Sequence, residues 1–160
     1  MLEVREMEVS YGEFLALKGV SFSVKEGELV TIIGANGAGK STTLRAIMGL
    51  VRCRKGEILF YGNPLTETSA HERAQLGISM VPEGRRIFPE LTVLENLLMG
   101  AYLIADRRVI QKNLERVFGI FPILKERRNQ MGKTLSGQVL ASSPFCVSNP
   151  TGTRCILWHM

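Results

Sequence analysis

"GELVTIIGANGAGKSTTLRAIMGL", Gly27 to Leu50, is the stretch that decides the fold. Leu29 to Ile33 is nearly continuous in apolar and β-branched residues, a pattern that predicts a strand buried on both faces. Then comes G-x-x-x-x-G-K-[ST], filled by Gly34, Gly39, Lys40 and Ser41. After Gly39 the periodicity turns helical through about Gly49, with Leu44, Ile47, Met48 and Leu50 on one expected stripe. A strand, a glycine-rich loop and a helix in that order form the context in which this motif binds phosphate.

The residue types fit that chemistry. Glycines let backbone N–H groups turn inward and approach phosphate oxygens with no Cβ in the way. A helix starting near Lys40 presents unpaired N–H groups and a partial positive charge to the same anion. Lys40 is expected to reach the β- and γ-phosphates and Ser41 to ligate Mg²⁺. Gly34, Asn36, Gly37, Gly39, Lys40, Ser41 and Thr42 make up the expected phosphate-binding set. At average residue usage a chance match in a chain this long is roughly one in 200, so a glycine-rich turn with no ligand is the weaker reading.

Outward from the loop, Leu2 to Val9 and Val20 to Val24 alternate apolar and polar residues, as half-buried antiparallel strands do. Glu57 to Tyr61 predicts a short strand ending at a "GNP" turn. Ser69 with Glu72, and Thr92 with Glu95, have capping-box spacing and predict helix starts near residues 70 and 93. "GISMVP" between them predicts another buried strand. From Thr92 to Arg128 two apolar faces recur at helical spacing: Val93, Leu94, Leu97, Leu98 and Ala101, then Val109, Ile110, Leu114, Val117 and Phe118. From Gln138 onward the chain carries no acid and no periodicity, which predicts irregular structure.

Composition bounds the function. At 45% hydrophobic and 22% charged residues, 160 residues suit a globular domain with its own core. The net charge of +5 does not mark a nucleic-acid binder, because all 15 acids lie at or before Glu126 and the excess reflects an acid-free tail. No nucleic-acid partner is expected. The amino terminus is charged from Glu3 and lacks the apolar segment of a secretory signal, and no run reaches the roughly 18 apolar residues of a membrane helix. Cys53, Cys146 and Cys155 lack metal-ligand spacing and read as free thiols. His71, inside the helix expected after Ser69, reads as a surface residue.

The residues around the phosphate loop, "EVSYGEFLALKGVSFSVKEGELVTIIGANGAGKSTTLRAIMGL", resemble the nucleotide-binding subunit of ABC transporters. "GISMVPEGRRIFPELTVLENLLMGA" is similar to the LivF-type ATPase subunit of branched-chain amino acid importers, and the resemblance covers about residues 1 to 137. It implies an α/β fold of the P-loop NTPase type, an ABC nucleotide-binding domain with antiparallel amino-terminal strands. Residues 1–91 would form the nucleotide-binding core, 92–137 a helical subdomain, and 138–160 an irregular tail outside the family pattern. It implies ATP and Mg²⁺ as ligands and Tyr11 as the aromatic that stacks on adenine. Glu83 would stand where most of the family has a glutamine that senses Mg²⁺ and water, keeping an oxygen ligand but adding charge. Arg85 to Tyr102 would face a membrane subunit. The implied partners are a second ATPase subunit and membrane permease subunits, with the protein cytoplasmic and peripheral on the inner face of the cell membrane.

Leu135, Ser136 and Gly137 match the start of the family signature L-S-G-G-Q, but Gln138 stands where its second glycine is expected. No Asp or Glu follows Glu126, so the Walker B aspartate and the catalytic glutamate of the family have no counterpart here, and His159 lacks the context of the family's later histidine. The expectation is therefore a chain that holds about two-thirds of the domain, truncated after the start of the signature with a tail of the kind an out-of-frame reading gives, and with no catalytic residue assigned. Without the missing strands a hydrophobic edge from Leu29 to Ile33 would lie open. Three readings follow: an importer ATPase subunit, a non-catalytic nucleotide-binding fragment, or a regulatory nucleotide switch that uses the tail as an interaction segment.

Overall fold

A computed structural model describes residues 1–81, 87–134 and 155–158. They fall into two compact units, Met1–Met80 with the strand Cys155–Trp158, and a helical unit that begins at Val81.

The first unit is built on strands β1 (Leu2–Tyr11), β2 (Phe14–Val24), β3 (Lys55–Phe60) and β4 (Asn63–Pro64), in the order β2-β1-β3-β4, all antiparallel. The expected antiparallel amino-terminal strands are both present. Along β1 the buried residues are Leu2 and Val4, then Met7 and Val9. The three-residue step between Val4 and Met7 breaks the two-residue alternation and marks a bulge, where Glu6 takes φ 46°. An extra residue resets the phase, so both halves of the strand keep their apolar side on the core. Across from it, Gly56 (φ 86°) passes so close to the carbonyl oxygens of Arg5 and Glu6 that any Cβ would collide. Only glycine fits there.

Helix α1 (Lys40–Ile47) lays Leu44, Ala46 and Ile47 on this sheet with Val9, Leu17, Ile58 and Phe60. Full burial of a Val, Leu, Ile or Phe side chain contributes about 1.5–3 kcal/mol. The helix ends earlier than its sequence stripe suggests. Gly49 (φ 78°) donates to Ala46 O, and Leu50 N donates to Arg45 O at 2.8 Å, the paired closure that reverses the chain. That reversal turns Leu50 outward, so it does not join the stripe as expected. The turn after β3 also shifts: Tyr61 (φ 50°) and Gly62 (φ 79°) form it, and Asn63–Pro64 already belong to the returning strand.

Two further expectations fail. Leu29 to Ile33 is not a buried strand: no ladder pairs with it among the described residues, and Leu29 and Ile33 are 94% and 90% exposed. A strand exists only through bonds to neighbours, and a run shaped for burial on both faces has none here. Its apolar side chains lie exposed, but on irregular backbone and not on the strand edge expected from the sequence. In the segment expected to be irregular, Cys155–Trp158 forms strand β6, paired with β5 (Ile78–Val81). Four consecutive apolar residues carry no alternation from which a strand can be counted.

Helix α2 (Ala70–Gln75) starts at a complete capping box of Ser69 and Glu72, and His71 lies exposed on it. In the second unit α3 (Val93–Gly100) begins at the matching box of Thr92 and Glu95. Asp106 caps α4 (Arg107–Ile120), and Pro122 opens α5 (Pro122–Glu126). Val93, Leu97, Ala101, Ile104, Leu114, Val117 and Leu124 form its core. Leu98, expected on the buried face, is 40% exposed, because Val93, Asn96, Leu97 and Ala101 face inward and Leu98 sits on the shoulder of that face.

Candidate functional site

The phosphate-loop residues come together as one exposed turn running into α1. Ala38 N donates to Ala35 O at 3.1 Å, tightening the turn. Gly37 and Gly39 take φ 85° and 89°, in the left-handed region. A Cβ on Gly37 would meet nothing, leaving open space over the loop; on Gly39 it would run into Leu17 Cδ2 and lie 3.2 Å from Ala16 O. The loop is therefore seated against β2 at Gly39.

Lys40 Nζ donates to Gly34 O at 2.8 Å and Ala35 O at 3.0 Å, so the ammonium arches back across the loop it follows. Asn36 is exposed, and Ser41 and Thr42 are half-buried on the first turn. Thr43 Oγ1 donates to Gly39 O at 3.0 Å and is buried beneath them.

The start of α1 is built unlike those of α2, α3 and α4. Each of those has a side chain accepting a backbone N–H at its first turn, whereas α1 has no side-chain cap and no acid in its first turn. Its positive end is left uncompensated within the helix.

Tyr11, 45% exposed, stands at the tip of the β1–β2 hairpin, directly across from Phe14. Glu83, Arg85, Arg86, Leu135, Ser136, Gly137 and Gln138 lie outside the described residues.

The family model described as ABC transporter matches residues 17–139, more than half of the chain and including the whole loop. The chain belongs to the ABC transporter family. Among ABC proteins it is 42% identical over 153 residues to the high-affinity branched-chain amino acid transport ATP-binding protein BraG of Pseudomonas aeruginosa, a match covering 94% of this chain and 65% of that protein. It is 32% identical over 150 residues to the probable branched-chain amino acid transport ATP-binding protein LivF of Archaeoglobus fulgidus, covering 92% of this chain and 63% of that one. A solved nucleotide-free ATP-binding cassette from an ABC transporter superposes with a TM-score of 0.78 at 28% identity, over 94% of this chain and 66% of that one. The α/β fold of the P-loop NTPase type is thus established, and the chain spans about 65% of the length of the curated relatives it matches first. The BraG match necessarily runs past Gly137, further than the resemblance seen in the sequence.

Two buried polar residues, one in each unit, escape sequence reasoning. Arg73 of α2 donates through Nη1 to Ala46 O and Ile47 O, each at 2.8 Å, through Nε to Thr68 O at 2.9 Å, and through Nη2 to Leu65 O. It holds the carboxyl end of the helix whose amino end forms the loop. Burial lowers its pKa and the nearby Cys53 raises it; the same burial raises the Cys53 thiol, which Arg73 lowers in turn. In the second unit the Asn96 amide accepts from Phe88 N at 2.8 Å and donates towards the carbonyls of Phe88, Leu91 and Thr92. A polar residue within an apolar stripe, Asn96 in "VLENLLMG", was the available signal; Arg73 gave none.

Proposed function

We propose that this chain binds ATP on the loop Gly34–Thr42 and forms the nucleotide-binding part of an ATP-binding subunit in an importer of branched-chain amino acids. The observation that carries the reading is the start of α1: a helix with neither cap nor acid, entered through a left-handed Gly39, with the Lys40 ammonium arched over the loop carbonyls. That arrangement is matched to a bound polyphosphate. Lys40 would leave its carbonyl partners for phosphate oxygens, while the backbone N–H groups of Asn36, Gly37 and Gly39 to Thr42 receive the others. Tyr11 is the proposed base contact.

Among the described residues no cluster of three His, Cys, Asp or Glu side chains is placed to hold a metal unaided. Mg²⁺ would therefore bind through Ser41 and the nucleotide's own oxygens, with Glu83 as a further oxygen ligand. When bound it neutralises developing charge on the phosphates. Leu135, Ser136 and Gly137 are proposed to meet the nucleotide held by a second ATP-binding subunit, and permease subunits are the proposed membrane partners. Among the described residues no helix is long and apolar enough to cross a membrane. The proposed location is the cytoplasmic face, peripheral to the membrane. The amino acid substrate is supported by what BraG and LivF are named for.

A second reading, binding without turnover, is favoured by one observation: no carboxylate follows Glu126 in these 160 residues. Phosphoryl transfer to water needs metal and base carboxylates that the phosphate loop does not supply.

Calorimetric titration of the 160-residue chain with Mg-ATP tests both readings. Binding weakened at least tenfold in Lys40→Ala supports the ATP site; wild-type chain that fails to bind, or equal binding by the variant, rejects it. Steady-state phosphate release that vanishes in Lys40→Ala would overturn the second reading.

A further inference from the structure

Register at the tip of the β1–β2 hairpin places a second aromatic beside Tyr11. The pairs run Val9↔Leu17, Ser10↔Leu15 and Tyr11↔Phe14, so Ala16 is an extra residue on β2. Because directly opposed residues share a face and alternate pairs return to it, Tyr11 and Phe14 lie on the side of Val9 and Leu17. Without the bulge, Phe14 would be three residues from Leu17 and on the opposite side.

That side is the one facing the loop. Val9 and Leu17 are buried in the same core as Leu44, Ala46 and Ile47 of α1, and Leu17 with Ala16 O meets the phosphate loop at Gly39. The bulge leaves Phe14 two paired positions beyond Leu17, the advance from Val9 to Tyr11, roughly 7 Å at strand rise, within the reach of a base whose phosphates lie on the loop. The exposures fit a ligand platform rather than a core: Tyr11 is 45% and Phe14 70% exposed. Among the described residues the Tyr11 and Phe14 rings do not stack on one another.

We propose that Phe14 is a second base-contacting residue, so that Tyr11 and Phe14 together hold the purine of a nucleotide whose phosphates occupy the Gly34–Thr42 loop. The inference rests on the nucleotide-binding reading above. It adds a specificity-determining side chain: the platform grips a flat aromatic base and contributes nothing to phosphate.

The test compares two ligands on the full chain, Mg-ATP and Mg-tripolyphosphate, by calorimetric titration. Phe14→Ala should weaken ATP about tenfold, in line with the loss of one stacking aromatic, leave tripolyphosphate binding unchanged, and be rescued by Phe14→Tyr. Wild-type ATP affinity in Phe14→Ala overturns the proposal, as does an equal loss for both ligands, which would signal a disturbed fold. Tripolyphosphate binding as tight as ATP in the wild-type chain rejects the platform while leaving the phosphate loop intact as a site. Binding of neither ligand to the wild-type chain rejects both.

Discussion

Replacing Arg73 with methionine isolates the most heavily bonded polar group in the first unit. Methionine keeps much of the apolar stem and removes the guanidinium, so the cost falls on four carbonyls. Ala46 O keeps the N–H of Gly49 and Leu65 O keeps that of Thr68, whereas among the described residues Ile47 O and Thr68 O have no second hydrogen-bond donor. An acceptor stripped of its partner costs about 1–3 kcal/mol. Two of them give a sum between about 2 and 6 kcal/mol, and the cavity of about 210 Å³ beside Arg73 admits water that offsets part of it. Removing a buried charge also recovers desolvation energy. The expected loss is about 3 kcal/mol, a fall of about 1.5 M in the urea midpoint for a slope of about 2 kcal/mol/M. Circular dichroism at a helical wavelength follows the transition, and hydrogen exchange at the amides of α1 shows where protection is lost. Arg73→Lys should recover only part of the loss, because one ammonium cannot reach carbonyls spread around a planar fork. A methionine variant within about 0.5 kcal/mol of wild type, the usual range for a surface substitution, would refute the account.

Asn96→Leu should destabilise the second unit by about 1–3 kcal/mol, since it strands the Phe88 N–H, while the carbonyls of Phe88, Leu91 and Thr92 keep the N–H groups of Leu91, Gly132 and Asn96; urea unfolding checks this, and an unchanged midpoint would contradict it. Hydrogen bonds from Ser69 lower the Glu72 pKa, and those from Thr92 lower that of Glu95. Both capping boxes therefore stabilise the fold above the ordinary glutamate pKa of about 4.3 and lose that stabilisation as pH falls through the lower folded values. The double variant Glu72→Gln/Glu95→Gln should show a flatter acid limb in stability against pH. Burial raises the Cys53 thiol pKa more than Arg73 lowers it, so in a Cys146→Ser/Cys155→Ser background its alkylation should become half-maximal at a higher pH than for a free thiol. Half-maximal alkylation at or below the free-thiol value would exclude that environment.

What the sequence made legible was local. The capping boxes at Ser69 and Thr92 bond within four residues, and each appears with both of its reciprocal bonds. The phosphate loop is legible for the same reason: glycine positions, the lysine and the helix that follows are fixed by spacing alone. Contacts between distant segments were not legible. Arg73 reaches 26 and 27 residues back to α1, and no local pattern distinguishes it from a surface arginine. The bulge that turns Phe14 towards the loop likewise depends on pairing between β1 and β2. Leu50 and Leu98 were misplaced because a stripe states which residues share a side and not where a helix stops or how wide its buried face is.

Leu29 to Ile33 brings both kinds of information into one segment. Its composition specifies burial on both faces, yet its backbone finds no partner among the described residues, so its side chains stay in water. Forming a strand fixes backbone dihedrals at about 1–2 kcal/mol per residue, and only ladder bonds and apolar contacts on both sides offset that. The loop after it needs neither. Gly39 is seated by Leu17 and Ala16, the far end of α1 is held by Arg73, and Lys40 bonds within the loop. The phosphate site is thus assembled from β2, α1 and α2, while the segment that leads into it is left unpaired among the described residues. Nucleotide affinity and the order of Leu29–Ile33 should therefore separate experimentally. A substitution such as Ile33→Thr, on a side chain 90% exposed, should leave Mg-tripolyphosphate affinity within about twofold of wild type, the scale of a surface change, and reduce self-association measured by light scattering. A tenfold loss of affinity from Ile33→Thr would mean that the loop is held by its entering segment after all.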